Sequence, residues 1–245
     1  MREPRDGLAT IDTVVLAGGL GTRLRGTLGD LPKVLAPVGD RPFLDHLLRF
    51  LTSQGAARIV LSLGHAADQV MRWLARSPWA GNVTAVIEPT PLGTAGALRW
   101  ARARIGSDPA LVVNGDTLVD ADLGILLAAH RAGATEVSLL CAEVTEGGRY
   151  GSVELDAQSR VRGFVEKDPA RFGPALVSAG YCLLSAAVLD RIAAGDARSL
   201  EHDVLARMPP GSIRAVTGRF SFLDIGTPES LARAALFMHL PESAQ

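Results

Sequence analysis

Residues 16–33, LAGGLGTRLRGTLGDLPK, place glycines and cations, Arg23 and Lys33 among them, directly after an apolar strand-like run at 13–17. Glycines let backbone N–H groups approach a ligand with no Cβ in the way, and neighbouring cations suit an anion. A ligand with several phosphates fits best. Two familiar phosphate motifs do not match: the dinucleotide fingerprint needs a third glycine where Leu24 stands, and the P-loop needs lysine where Thr27 follows Gly26. A glycine-rich turn with solvated charges is the simpler alternative. Lys33 argues against it, because a lysine between Pro32 and the apolar Val34 and Leu35 is held in place.

Other residues could join this chemistry. Asp116 ends an apolar run, and at the carboxyl end of a parallel strand a carboxylate points to where ligands bind. NGD also reads as a turn, and Asp224 in FLDIGTP carries the same ambiguity. Glu166 and Lys167 are neighbours at a strand end, so alternation sends them to opposite faces and only one need enter a site. Gly93 would let the chain pass close to a ligand, or serve helix packing alone. The five histidines show no ligand spacing. Cys141 and Cys182 lie in apolar runs without metal spacing and read as reduced, buried thiols.

The elements that must position these residues follow from periodicity. Strand-like runs at 13–17, 58–64, 83–88 and 110–116 alternate with helical patterns, the first opened by Pro42 and closed by Gly55. Such alternation means parallel strands joined by right-handed crossovers. After Asp116 the rhythm changes. A helix at 122–133 precedes close-set strands at 136–144, 150–156, 160–167 and 176–184, suited to antiparallel pairing. Helical patterns at 186–194, 199–208 and 229–240 follow. The expected fold is α/β: a Rossmann-like, mixed, mostly parallel sheet flanked by helices, with a smaller antiparallel portion. Residues 1–245 read as one domain, with a frayed tail at 1–10, a nucleotide-binding half to about residue 120 and a second half beyond it.

Composition narrows the class. A formal net charge of -1 over 245 residues excludes a general nucleic-acid binder, so any anion must meet local cations. MREPRDGLAT lacks the apolar centre of a secretory signal, and no apolar run approaches the ~20 residues of a membrane span. The expected location is cytoplasmic.

The motifs now add up. LAGGLGTRLR with DLPKVLAPVGDRPFLDHLL resembles the signature of the sugar-1-phosphate nucleotidyltransferases, and PLGTAGAL, VNGD, RYGSVELD, FVEK, SAGYCLL and FLDIGTPESL follow in that family's order. The resemblance covers almost the whole chain. It implies transfer of a nucleotide from a nucleoside triphosphate to a sugar 1-phosphate, with Arg23 and Lys33 as the catalytic cations. The nucleotide would be held by Leu16, Ala17, Gly18, Gly19, Gly21, Thr22, Arg23 and Asn114, with Glu88, Gly93 and Thr94 around base and ribose. Gly115, Tyr150, Gly151, Glu166, Lys167, Ser178, Ala179 and Gly180 would bind the sugar phosphate, and Asp116 and Asp224 one Mg2+. Ser178 departs from the usual asparagine. The loop lacks the proline common after LR in hexose enzymes, which makes it most similar to D-glycero-D-manno-heptose 1-phosphate guanylyltransferases. Hexose- or cyclitol-1-phosphate enzymes using TTP, UTP, GTP or ATP are the alternatives, and a catalytically silent binding module is one of another class. A homo-oligomer is compatible with all of these.

Overall fold

The computed structural model describes residues 6–238 except 134, 146, 148–150, 169, 171 and 172. In chain order the first elements are α1 (Asp6–Ala9), β1 (Asp12–Ala17), α2 (Arg25–Leu28), β2 (Pro37–Val38), β3 (Arg41–Pro42), α3 (Phe43–Ser53), β4 (Arg58–Leu63), α4 (Ala67–Leu74), β5 (Val83–Ile87) and α5 (Gly93–Ala101). They continue with β6 (Ala110–Asn114), β7 (Thr117–Val119), α6 (Leu123–Gly133), β8 (Val137–Val144), β9 (Ser152–Leu155), β10 (Val161–Val165), β11 (Ala175–Leu184), α7 (Ala186–Ala194), β12 (Ile213–Gly218), β13 (Phe222–Asp224) and α8 (Pro228–Met238).

β1 is the centre from which the sheet grows. It pairs in parallel with β4 and β6, and β4 with β5. Val14 and Val15 point to opposite faces and are both fully buried, each in a separate core layer, as a strand covered on both sides requires. α3 shows how a crossover helix is written: Pro42 leads in, Phe43, Leu44, Leu47, Leu48 and Leu51 are buried at helical spacing, and Gly55 at φ 94° ends the turn.

The antiparallel portion belongs to the same sheet. β11 pairs antiparallel with β6, β8 and β9, and its pairing with β8 slips between Ser178 and Cys182. Gly180, at φ 76°, sits inside that irregularity, where a Cβ would crowd the Asn114 side chain at 2.9 Å. Two short ribbons complete the frame, β2 with β3 and β7 with β13. Tyr181, fully buried, donates its hydroxyl to the Thr117 carbonyl at 3.0 Å and so fixes β7 beneath the site. Both cysteines are free and buried, their thiols pushed up to about 12 by burial.

Three expectations need correction. From Asp6 the chain is not a frayed tail: α1 buries Leu8, and Gly7 abuts Leu127 of α6. The pattern at 199–208 is not an α-helix but a π-turn, Leu200–Val204, followed by a 3-10 turn, Leu205–Arg207. Side chains compete for its backbone: Leu200 N–H donates to Thr94 Oγ1, and Asp203 accepts from the N–H groups of Arg198 and Ser199. β12, which runs parallel to β8, carries Arg214 and Thr217 between its apolar residues and was not expected as a strand.

Candidate active site

β1 ends at Ala17, and the glycine loop turns away over the carboxyl edge of the sheet. Gly18 passes so close to Glu88 that a Cβ there would lie 2.6 Å from the carboxylate. Gly21, at φ 57°, caps a 3-10 turn, Thr22–Leu24. The loop forms one wall of a cavity of about 490 Å³. Leu16, Ala17, Gly18, Gly19, Gly21 and Thr22 line it, and Glu88, Gly93, Thr94 and Asn114 face them.

A second cavity of about 470 Å³ opens beside the first. Gly151, Ser178, Ala179 and Gly180 line it, together with Glu166 and Lys167. Asn114 and Asp116 line both cavities and mark where they meet. β13 delivers Asp224 to this junction, because its pairing with β7 sets Asp224 opposite Thr117.

At the junction Lys33 Nζ donates to Asp116 Oδ2 at 2.5 Å and lies 3.8 Å from Asp224 Oδ1. Burial, and then the charge of Asp116, raise the Asp224 carboxyl above the ordinary range, against the pull of Lys33, the Gly226 N–H and Arg23. Two carboxylates brought together in this way call for a cation, and in this structure Lys33 supplies it. Glu88 is also raised, by burial that its bonds from Leu92 N–H and the Ser62 hydroxyl only partly offset.

Several residues sit otherwise than the sequence suggested. Arg23 lines the second cavity, not the first, since the 3-10 turn carries it across the junction. Gly115 lines neither: its N–H donates to the Leu16 carbonyl at 2.9 Å, and a Cβ would strike that oxygen, so it is a packing glycine. Both Glu166 and Lys167 border the second cavity, because β10 ends at Val165 and strand alternation no longer applies. Tyr150 lies outside the described residues. Arg198 in the first cavity and Glu201 and His202 in the second were not anticipated. An irregular turn carries them, with no motif to announce it.

Among the described residues no group of three or more His, Cys, Asp or Glu is placed to hold a metal. Asp116 and Asp224 offer two hard oxygen donors, which suits an ion that takes its remaining ligands from water and phosphate. No described helix is long and apolar enough to cross a membrane.

A glycine-loop cavity, a second cavity beside it and a cation where they meet form an arrangement suited to an enzyme that holds two ligands side by side. Comparison with known proteins agrees. The Nucleotidyl transferase family pattern matches residues 12–240. D-glycero-alpha-D-manno-heptose 1-phosphate guanylyltransferase of Campylobacter jejuni is 30% identical over 89% of this chain and 96% of its own length. Mannose-1-phosphate guanylyltransferase of Mycobacterium tuberculosis is 32% identical over 92% of this chain and 64% of its own. The crystal structure of HddC from Yersinia pseudotuberculosis complexed with GMP-PN is 33% identical, with a TM-score of 0.84 over 93% of this chain and 99% of that one. The chain belongs to the Nucleotidyl transferase family. It is a sugar-1-phosphate nucleotidyltransferase.

Proposed function

We propose that the chain condenses GTP with a D-glycero-D-manno-heptose 1-phosphate, giving the GDP-sugar and pyrophosphate. The observation that carries this reading is the junction itself, where Lys33 stands between a nucleotide-sized cavity and a polar one. An oxygen of the sugar phosphate attacks the α-phosphorus, the bond from that phosphorus to the bridging oxygen breaks, and pyrophosphate leaves. Such a reaction needs positioning and charge stabilisation more than proton transfer. In this reading the glycine-loop amides cradle the triphosphate and Lys33 meets the phosphates around the reacting centre. Arg23, from the far side of the junction, and Lys167 hold the sugar phosphate. Asp116 and Asp224 would hold magnesium, which when bound offsets the charge of two phosphorylated substrates.

The choice of guanine rests on Glu88. Guanine presents two adjacent donors, N1–H and the N2 amino group, and a two-oxygen acceptor buried opposite the glycine loop matches them. The Campylobacter relative is named for a heptose 1-phosphate and the Yersinia structure holds GMP-PN, and both support the same direction. Mannose 1-phosphate is a second reading, supported by the Mycobacterium relative.

Pyrophosphate release from a panel of four nucleotides against heptose, mannose and glucose 1-phosphates tests this directly. GTP with the heptose 1-phosphate is expected to exceed the other pairs at least ~10-fold in kcat/KM, a difference of ~1.4 kcal/mol. A preference for mannose 1-phosphate selects the second reading, and a preference for another base rejects both.

A further inference from the structure

The segment from Arg198 to the end of the π-turn at Val204 belongs to none of the motifs that marked the site, yet it walls both cavities. Arg198 lines the nucleotide side, and Glu201 and His202 line the other. Its backbone is tied to the start of α5, where Ala95 N–H donates to the Arg198 carbonyl at 2.9 Å and Leu200 N–H to Thr94 Oγ1 at 2.8 Å. Ser199 Oγ accepts from His202 N–H at 3.1 Å and fixes the turn from within. Side chains leaving such a braced turn hold their direction. π-turns recur at functional sites.

The two glutamates on this cavity are not equivalent. Glu166 is engaged, its Oε1 3.2 Å from His202 Nδ1. The Glu201 carboxylate has no hydrogen-bond partner among the described residues. Its side chain is open to the cavity, yet the depth of the wall raises its pKa, as do Asp116 and Glu166, while His202 works the other way. An acceptor so placed gains from O–H donors that bring no further negative charge. A phosphate would be repelled by it, whereas a sugar ring would satisfy it. Arg23 and Lys167 line the same cavity and supply the positive charge that suits the phosphate of such a ligand.

We propose that Glu201 is a specificity-determining residue whose carboxylate accepts hydrogen bonds from hydroxyl groups of the sugar 1-phosphate. The inference rests on the sugar-1-phosphate reading above.

The test compares the parent enzyme with Glu201→Gln and Glu201→Ala, using GTP and the best sugar 1-phosphate, then analogues of that sugar lacking one hydroxyl each. Glu201→Ala is expected to raise the KM for the sugar 1-phosphate at least tenfold while leaving the KM for GTP within twofold, with Glu201→Gln intermediate. The parent should discriminate at least tenfold against one deoxy analogue, and Glu201→Ala should lose that discrimination, which a merely structural role would not produce. An active parent whose Glu201→Ala variant keeps both its sugar KM and its discrimination overturns the inference alone. A parent that releases no pyrophosphate with any pair overturns the proposed function, and this inference with it.

Discussion

Lys33 serves two carboxylates at once, and that position defines its importance. With Asp116 at 2.5 Å and Asp224 at 3.8 Å, its charge is already directed to the point where the two cavities meet. Lys33→Ala and Arg23→Ala are each expected to lower kcat by about a hundredfold or more, the scale of lost transition-state charge stabilisation, with circular dichroism unchanged. Near-normal turnover in both variants would sink the assignment. Glu88 behaves differently because its burial holds the carboxyl above the ordinary range. The ionised form is the one that accepts from guanine, so the KM for GTP should rise as pH falls through that elevated value, ahead of any ordinary carboxylate. Burial of that charge also costs stability above the same value. Glu88→Gln should therefore raise the GTP KM at least tenfold with no fall in melting temperature at neutral pH, and a lower melting temperature with an unchanged KM would refute this.

At the scale of elements, what was legible depended on whether a local pattern carried the information. Strands such as β1 and β6 carry unbroken apolar runs, at 14–17 and 110–113, and α3 is bounded by its own proline and glycine, so both kinds of element could be read without their neighbours. The π-turn could not, since its departure from an α-helix depends on Thr94, which lies 106 positions away from Leu200. The approach of Asp224 to Asp116 depends likewise on the pairing of β7 with β13, two three-residue strands too short to show a period. Asp12 illustrates how distant elements are joined at β1. Burial alone would raise its pKa, but the Gly106 N–H, the Arg58 guanidinium at 2.7 Å and the Ser107 N–H together hold it below the ordinary 3.8. A depressed carboxylate stabilises the fold at pH values above its unfolded pKa, and that contribution is lost as pH falls from there through the folded value. Asp12→Ala is thus expected to cost about 2–4 kcal/mol at neutral pH and progressively less below about pH 3.8, as urea denaturation across that range would reveal.

For the whole molecule, the question is how a nucleotide side and a sugar side, set on different stretches of chain, come to share one geometry. Gly93 is where they are joined. It opens α5 at φ 78°, in the region that favours glycine, and lines the nucleotide cavity. A Cβ at this position would collide with the Arg198 carbonyl, the same oxygen that accepts from Ala95 N–H and anchors the segment carrying Glu201 and His202. Gly93→Ala must therefore either push that segment outward or turn the start of α5, and each movement disturbs both cavities. The expected result is a rise of at least about fivefold in KM for GTP and for the sugar 1-phosphate together, with a stability loss of about 1–3 kcal/mol from backbone strain. Glu88→Gln should act on the nucleotide alone and Glu201→Ala on the sugar phosphate alone, so the three variants separate local from shared geometry. If Gly93→Ala raises only one of the two KM values, the segment from Arg198 to Val204 does not couple the two sides, and each cavity is built independently of the other.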